Sequence, residues 1–228
     1  MVLGLGYSGK SSIIRQIKNS EDYEEIPTEE GKEEEKKDVF STLVQSQFSD
    51  SRVDMRRKLE IFEVKHGGRK WLHFISNMNA LIFVVDSSCG NVELLQSLDL
   101  FKCVWNYIQQ FRHPIVVHVF LHKQDLLEEK IKSGDDDLKK YFPDFAHFSL
   151  SPRVLKRNDV LNAEYLHAKY FIRTLFQQIV DQGSIHCSLE MAKQCYIYFT
   201  SASDNIPTTD AVQSCVQRLL PCVVNCES

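Results

Sequence analysis

Residues Gly4-Leu5-Gly6-Tyr7-Ser8-Gly9-Lys10-Ser11 decide how this 228-residue chain is read. They fit the pattern GxxxxGK[ST] at every fixed position. A short apolar stub precedes them, and a helix pattern follows from Ser11 to about Lys18. That context is the physics of a phosphate-binding loop. Glycines let the backbone curl so that its N–H groups point inward at phosphate oxygens. The following helix adds its positive N-terminal end. Gly4, Gly6, Ser8, Gly9, Lys10, Ser11 and Ser12 are the candidate contacts. In such a loop the lysine reaches the terminal phosphates and the Ser11 hydroxyl binds Mg²⁺.

Outward from the loop, apolar runs alternate with amphipathic periods. Leu59 to Val64 reads as a strand, and Ala80 to Asp86 as a strand buried on both faces. Leu94, Leu98, Phe101, Trp105 and Ile108 make one helical face. Ile115 to Leu121 is a second central strand. Tyr165, Ala168, Ile172, Leu175 and Ile179 mark another helix, and Cys195 to Thr200 a last strand. A final helix is expected from near Thr208, with Val212, Cys215, Val216 and Leu219 inward, ending at Pro221. The alternation predicts an α/β fold, a doubly wound and mostly parallel sheet with helices on both faces. Ligands bind such sheets beyond the carboxyl ends of the strands.

Two further signals fall at those ends. His122-Lys123-Gln124-Asp125 follows the strand ending at Leu121. A carboxylate at Asp125 can accept from the N1–H and the 2-amino group of guanine, a donor pair adenine lacks. The Lys123 stem can lie along the base plane. After the last strand comes Thr200-Ser201-Ala202-Ser203, where the Ala202 backbone N–H can meet the base oxygen.

Composition bounds the rest. The formal net charge of -4 gives no reason to expect nucleic-acid binding. No apolar run is long enough to span a membrane. Val2 offers no myristoylation glycine at the start as written, and the final five residues are not a prenylation box. The seven cysteines are scattered and read as reduced thiols. His186-Cys187 and Cys222 with Cys226 lack the second paired cluster that a zinc site needs. Residues 21–37 hold nine acidic and three basic residues and read as a solvated acidic linker.

The motifs together, with Phe120 to Ile131, Tyr141 to Phe145, Ala168 to Arg173, Leu98 to Trp105 and Lys70 to Phe74, resemble the nucleotide-binding half of heterotrimeric G-protein α subunits. The stimulatory class, which activates adenylyl cyclase, is the one it is most similar to. The resemblance implies a P-loop NTPase of the Ras-like type with GTP/GDP and Mg²⁺ as cofactors. It divides the chain into the phosphate loop and first helix (1–20), the acidic linker in place of the family's helical domain (21–37), and the remainder of the Ras-like domain (38–228). It implies a receptor of the G-protein-coupled class, a βγ dimer and adenylyl cyclase as partners. A cytoplasmic place follows, peripheral at the inner face of the plasma membrane through those partners.

Departures from the family's pattern shape the expected chemistry. The helical lid and the N-terminal helix have no counterpart here, and the first strand is short, which should cost stability. Asp38-Val39-Phe40-Ser41-Thr42 aligns with the first switch, so Ser41 stands at the Mg²⁺-binding threonine and Asp38 at the catalytic arginine. Tyr7 replaces the loop glutamate that pairs with that arginine. Glu63 aligns with the Mg²⁺-side aspartate of the second switch, giving Ser11, Ser41 and Glu63 as the metal set. Arg69 follows Gly67-Gly68 where the water-orienting glutamine is expected, and is the catalytic candidate there. His122 stands at the asparagine that braces the loop and contacts the base, so guanine affinity should fall. These losses predict slow hydrolysis and fast exchange. They also leave open a pseudo-GTPase acting through protein partners without a nucleotide cycle. A P-loop kinase for a small metabolite, the third reading, rests on Gly9-Lys10-Ser11 alone.

Overall fold

Strand Ala80–Asp86 sets the architecture by simple alternation. Leu81, Phe83 and Val85 enter one apolar core, and Ile82 and Val84 enter another on the opposite face. A strand buried on both faces needs helices on both sides, and the chain supplies them. The computed structural model describes residues 1–18, 24–25, 39–46, 57–64, 78, 80–111, 113, 115–134, 138–152, 154, 163–184, 194–202 and 205–224.

In chain order the elements are β1 (Val2–Leu3), α1 (Lys10–Lys18), β2 (Glu24–Glu25), β3 (Val39–Ser46), β4 (Arg57–Val64) and β5 (Ala80–Asp86). Then follow α2 (Asn91–Ile108), β6 (Val116–His122), α3 (Gln124–Lys132), the short α4 (Leu138–Tyr141) and a 3-10 turn (Pro143–His147). The last elements are α5 (Ala163–Ser184), β7 (Gln194–Phe199) and α6 (Asn205–Val224). The sheet order is β2-β3-β4-β1-β5-β6-β7. Strands β4, β1, β5, β6 and β7 run parallel, while β3 and β2 add an antiparallel edge.

β1 is two residues long yet central. Val2 pairs with Glu63 on one side and Ile82 on the other, and Leu3 pairs with Phe83. Its side chains split between the cores, Leu3 with the α2–α5 layer and Val2 with the α1–α6 layer. The first core is aromatic at its centre. Phe101 packs 5.1 Å from Phe83 and 5.4 Å from Phe176, centroid to centroid, in tilted geometry. Each such side chain, fully buried, contributes about 1.5–3 kcal/mol. The helical face expected on α2 is buried at all five positions, Leu94, Leu98, Phe101, Trp105 and Ile108.

Two expectations are corrected. The last helix neither starts at Thr208 nor ends at Pro221; it runs Asn205–Val224. Pro207 lies in the first turn, where backbone N–H groups have no intrahelical acceptor to reach, so it fits there. Pro221 removes one bond with only three residues left, and the helix carries on past it. The acidic segment is not wholly linker: Glu24–Glu25 pair with Gln45 and Val44 as an edge strand. Backbone pairing does not depend on side-chain type, and charged residues at an edge discourage pairing with another chain. The rest of residues 21–37 lies outside the described residues, as do Asp38, Arg69, His186, Cys187 and Cys226.

Candidate phosphate and base site

The phosphate loop leaves β1 at Leu3 and enters α1 at Lys10. Two glycines are required there by geometry. Gly4 has φ 153°, and a Cβ on it would fall 2.2 Å from the Val84 carbonyl oxygen of β5. Gly9 has φ 95°, and a Cβ on it would fall 2.3 Å from Cδ2 of His122. Gly6 is different: nothing lies within 4 Å of its virtual Cβ. Tyr7 adopts φ 60° and is 95% exposed, an uncommon backbone for a bulky residue.

The loop is chemically fit for an anion. The Lys10 ammonium donates to the carbonyls of Gly4 (3.2 Å) and Leu5 (2.8 Å), so its charge is held over the curl of the loop. The Ser8 hydroxyl is buried and has no hydrogen-bond partner among the described residues. A buried hydroxyl beside an ammonium and a helix N-terminus suits phosphate oxygens. Ser11 is exposed at the first turn of α1 and Ser12 half-buried behind it; the Ser12 N–H donates to the Gly9 carbonyl.

His122 is the keystone between the loops. It ends β6, level with Asp86 at the end of β5. Its ring is buried under Gly9, and Nδ1 lies 3.0 Å from the Thr200 hydroxyl. Burial pushes its pKa down. Asp125 and Asp86 pull the other way, and Lys123 adds to the lowering. The neutral ring is therefore the form that fits.

Lys123 sits at the start of α3 with φ 60° and ψ 44°. Its ammonium donates to Asp86 Oδ2 at 2.6 Å, so the side chain crosses from the end of β6 to the end of β5. Asp125 lies in the first turn of α3, half-buried. The intervening Gln124 is buried and ties the floor together. Its amide donates to the Ser87 hydroxyl and the Leu121 carbonyl, and its oxygen accepts from the Tyr165 hydroxyl. The third loop joins through the backbone: Gln124 N–H donates to the Thr200 carbonyl at 3.2 Å. Thr208 of α6 fixes the same loop. Its hydroxyl donates to the Ser201 carbonyl and accepts from the Ser201 N–H. Ala202 follows, exposed.

Ser41 and Glu63 are described by backbone only. Glu63 is next to last in β4 and pairs with Val2, two residues before Gly4 opens the loop. The register sets Phe40 across from Glu63 and Ser41 across from Phe62. Among the described residues no group of three or more His, Cys, Asp or Glu is arranged to hold a metal by itself. Residues to which the sequence reading gave no role in the site are Asp86, Gln124, Thr200 and Thr208. Asp86 carried one readable signal, as a charged residue closing an apolar strand.

Residues 53–219 match the sequence profile of the G-protein alpha subunit family. Three curated relatives bear the name guanine nucleotide-binding protein G(s) subunit alpha. The one from Lymnaea stagnalis is 32% identical over 175 residues, 73% of this chain and 44% of its own length. Those from Homarus americanus and Drosophila pseudoobscura pseudoobscura are 38% and 37% identical, each over 60% of this chain and 36% of their own length. The chain thus spans less than half the length of the relatives it matches.

Proposed function

Because this chain belongs to the G-protein alpha subunit family, we propose that it is a guanine-nucleotide switch of the stimulatory type. The observation that carries the reading is the joining of three loops at the carboxyl ends of β1, β6 and β7. Gly9 meets His122, His122 meets Thr200, and Gln124 N–H bonds the Thr200 carbonyl. A phosphate cradle, a lysine–aspartate pair and a base-facing loop are thereby tied together by direct contacts. Preorganisation of this kind lowers the ordering cost of binding a nucleotide.

In this reading the loop N–H groups, Ser8 and Lys10 take the phosphates, and Ser11 takes Mg²⁺ with Ser41 and Glu63 as further candidates. Asp125 reads the guanine edge and Ala202 the base oxygen through its backbone. Mg²⁺ supplies charge neutralisation between phosphate oxygens when bound. Hydrolysis is slow, because Asp38 and Arg69 stand where the family has its transition-state arginine and water-orienting glutamine. Exchange is fast for want of a helical lid over the nucleotide. A receptor, a βγ dimer and adenylyl cyclase are the proposed partners. The proposed place is cytoplasmic, at the inner face of the plasma membrane through those partners. No helix among the described residues is long and apolar enough to cross a membrane.

The nucleotide content of the purified protein tests the reading. Denatured protein should release guanine nucleotide, or acquire it stoichiometrically on incubation with GDP and Mg²⁺. A folded protein that neither carries nor acquires nucleotide would favour the partner-binding pseudo-GTPase.

A further inference from the structure

Asp86 closes β5 with a carboxylate that is fully engaged. Oδ1 accepts from the Ser88 N–H (2.9 Å) and the Ser88 hydroxyl (2.6 Å). Oδ2 accepts from the Lys123 ammonium (2.6 Å). Both side chains are largely sheltered, Lys123 24% and Asp86 17% exposed. A sheltered, short, charge-assisted hydrogen bond is stronger than an exposed surface pair. The residues come from neighbouring parallel strands whose ends are in register, Asp86 opposite His122. The lysine must therefore stretch sideways across two strand ends to reach its partner. Its backbone at the start of α3 is αL.

A lysine held at its tip presents its hydrocarbon stem in a fixed place. Left loose, the same side chain has many rotamers and loses that freedom when a ligand orders it. The Ser88 hydroxyl and N–H in turn hold the carboxylate, so the stem is anchored at both ends before any ligand arrives. It joins the ends of β6 and β5, and β5 is the neighbour of β1, from which the phosphate loop leaves.

The geometry points to Asp86 as a positioning residue for nucleotide affinity: it clamps Lys123 so that the lysine stem forms a pre-set floor for a purine nucleoside. This rests on the nucleotide reading above and adds to it a residue outside the phosphate loop and the Lys123–Asp125 pair. Asp86 touches no base donor itself. It acts through Lys123 and leaves guanine selection to Asp125.

Fluorescent GDP displacement with the full chain tests this, using GDP and IDP as competitors, since hypoxanthine keeps N1–H and lacks the 2-amino group. Asp86→Asn keeps the shape and removes the charge. It should weaken GDP and IDP equally, by about five- to tenfold, mainly through faster release. Lys123→Met should weaken binding too, and the double variant should be no weaker than Lys123→Met alone. Unchanged GDP affinity in Asp86→Asn overturns the inference. So does a loss that adds to that of Lys123→Met, or a loss of the GDP-over-IDP preference, which would mean the start of α3 and Asp125 had simply moved. Should Asp86→Asn not fold, Ser88→Ala removes one anchor and should weaken GDP about twofold; no change there overturns it equally. Absence of guanine binding by the unsubstituted protein overturns the nucleotide reading and this inference together. Binding there with an unaffected Asp86→Asn overturns this inference only.

Discussion

Gly9 and His122 are in direct contact: a Cβ on Gly9 would lie 2.3 Å from Cδ2 and 2.8 Å from Nε2 of the imidazole. The phosphate loop and the end of β6 are thus packed with no room for one methyl group. Gly9→Ala should destabilise the protein by about 1–3 kcal/mol, from the clash and from φ 95° together. In a His122→Ala background the same Gly9→Ala change should cost less, because the clash is gone and only the backbone strain at Gly9 remains. Urea unfolding of both single variants and the double checks this; a Gly9→Ala cost that is the same with and without the imidazole would contradict it.

His122→Asn should raise guanine affinity. The imidazole spends Nδ1 on Thr200 and its other edge on Gly9. The shorter amide can hold the loop and keep a group directed at the base. One added hydrogen bond is worth about 1 kcal/mol, or about fivefold in Kd. GDP titration of the variant is the check, and an unchanged or weaker Kd would count against the assigned role.

Stability should fall as the pH drops below about 6.5, the unfolded value for histidine. His118 lies fully buried between Tyr196 and Tyr198, with ring centroids at 5.6 and 5.8 Å. Burial first, then the charge of Arg218, lowers its pKa to about 3. His122 is lowered as well. For each group the unfolded chain takes up the proton first, so stability is present above about 6.5 and is lost below it, down through the folded pKa. One such histidine gives a slope of about 1.4 kcal/mol per pH unit in that window. His118→Phe should remove about one proton's worth of slope between pH 6.5 and 5, read from urea melts; an unaltered slope would contradict the assignment.

Gly183→Ala should destabilise the α2–α5 layer. A Cβ there would fall 2.4 Å from Trp105 Nε1, and Trp105 is fully buried. The indole cannot shift without disturbing Phe101, stacked at 6.1 Å. A loss of about 1–3 kcal/mol is expected. Thermal unfolding checks it, and wild-type stability would show that the helices can part at little cost.

What the sequence revealed followed from how local each constraint is. Gly4, Gly9 and Lys10 were readable because the curl of a phosphate loop dictates residue types at fixed spacing. Strand β5 was readable to the residue because burial on both faces leaves an unbroken apolar run. Lys123 was legible as a base-side lysine, but its bond to Asp86 was not, since 37 residues separate the partners and only the sheet register joins them. Thr200 and Thr208 are ordinary hydroxyls until β6, β7 and α6 converge. Pro221 misled because a proline in the last turn forfeits one bond rather than a helix. Glu24 and Glu25 misled because strand pairing at an edge uses backbone alone.

Titration with fluorescent GDP and GTP analogues, with and without Mg²⁺ and with ATP as competitor, tests the central claim most directly. The account predicts micromolar or tighter binding, selective for guanine, strengthened by Mg²⁺ and lost in Lys10→Ala. Binding of ATP in preference to GTP, or no binding by the folded protein, would contradict it.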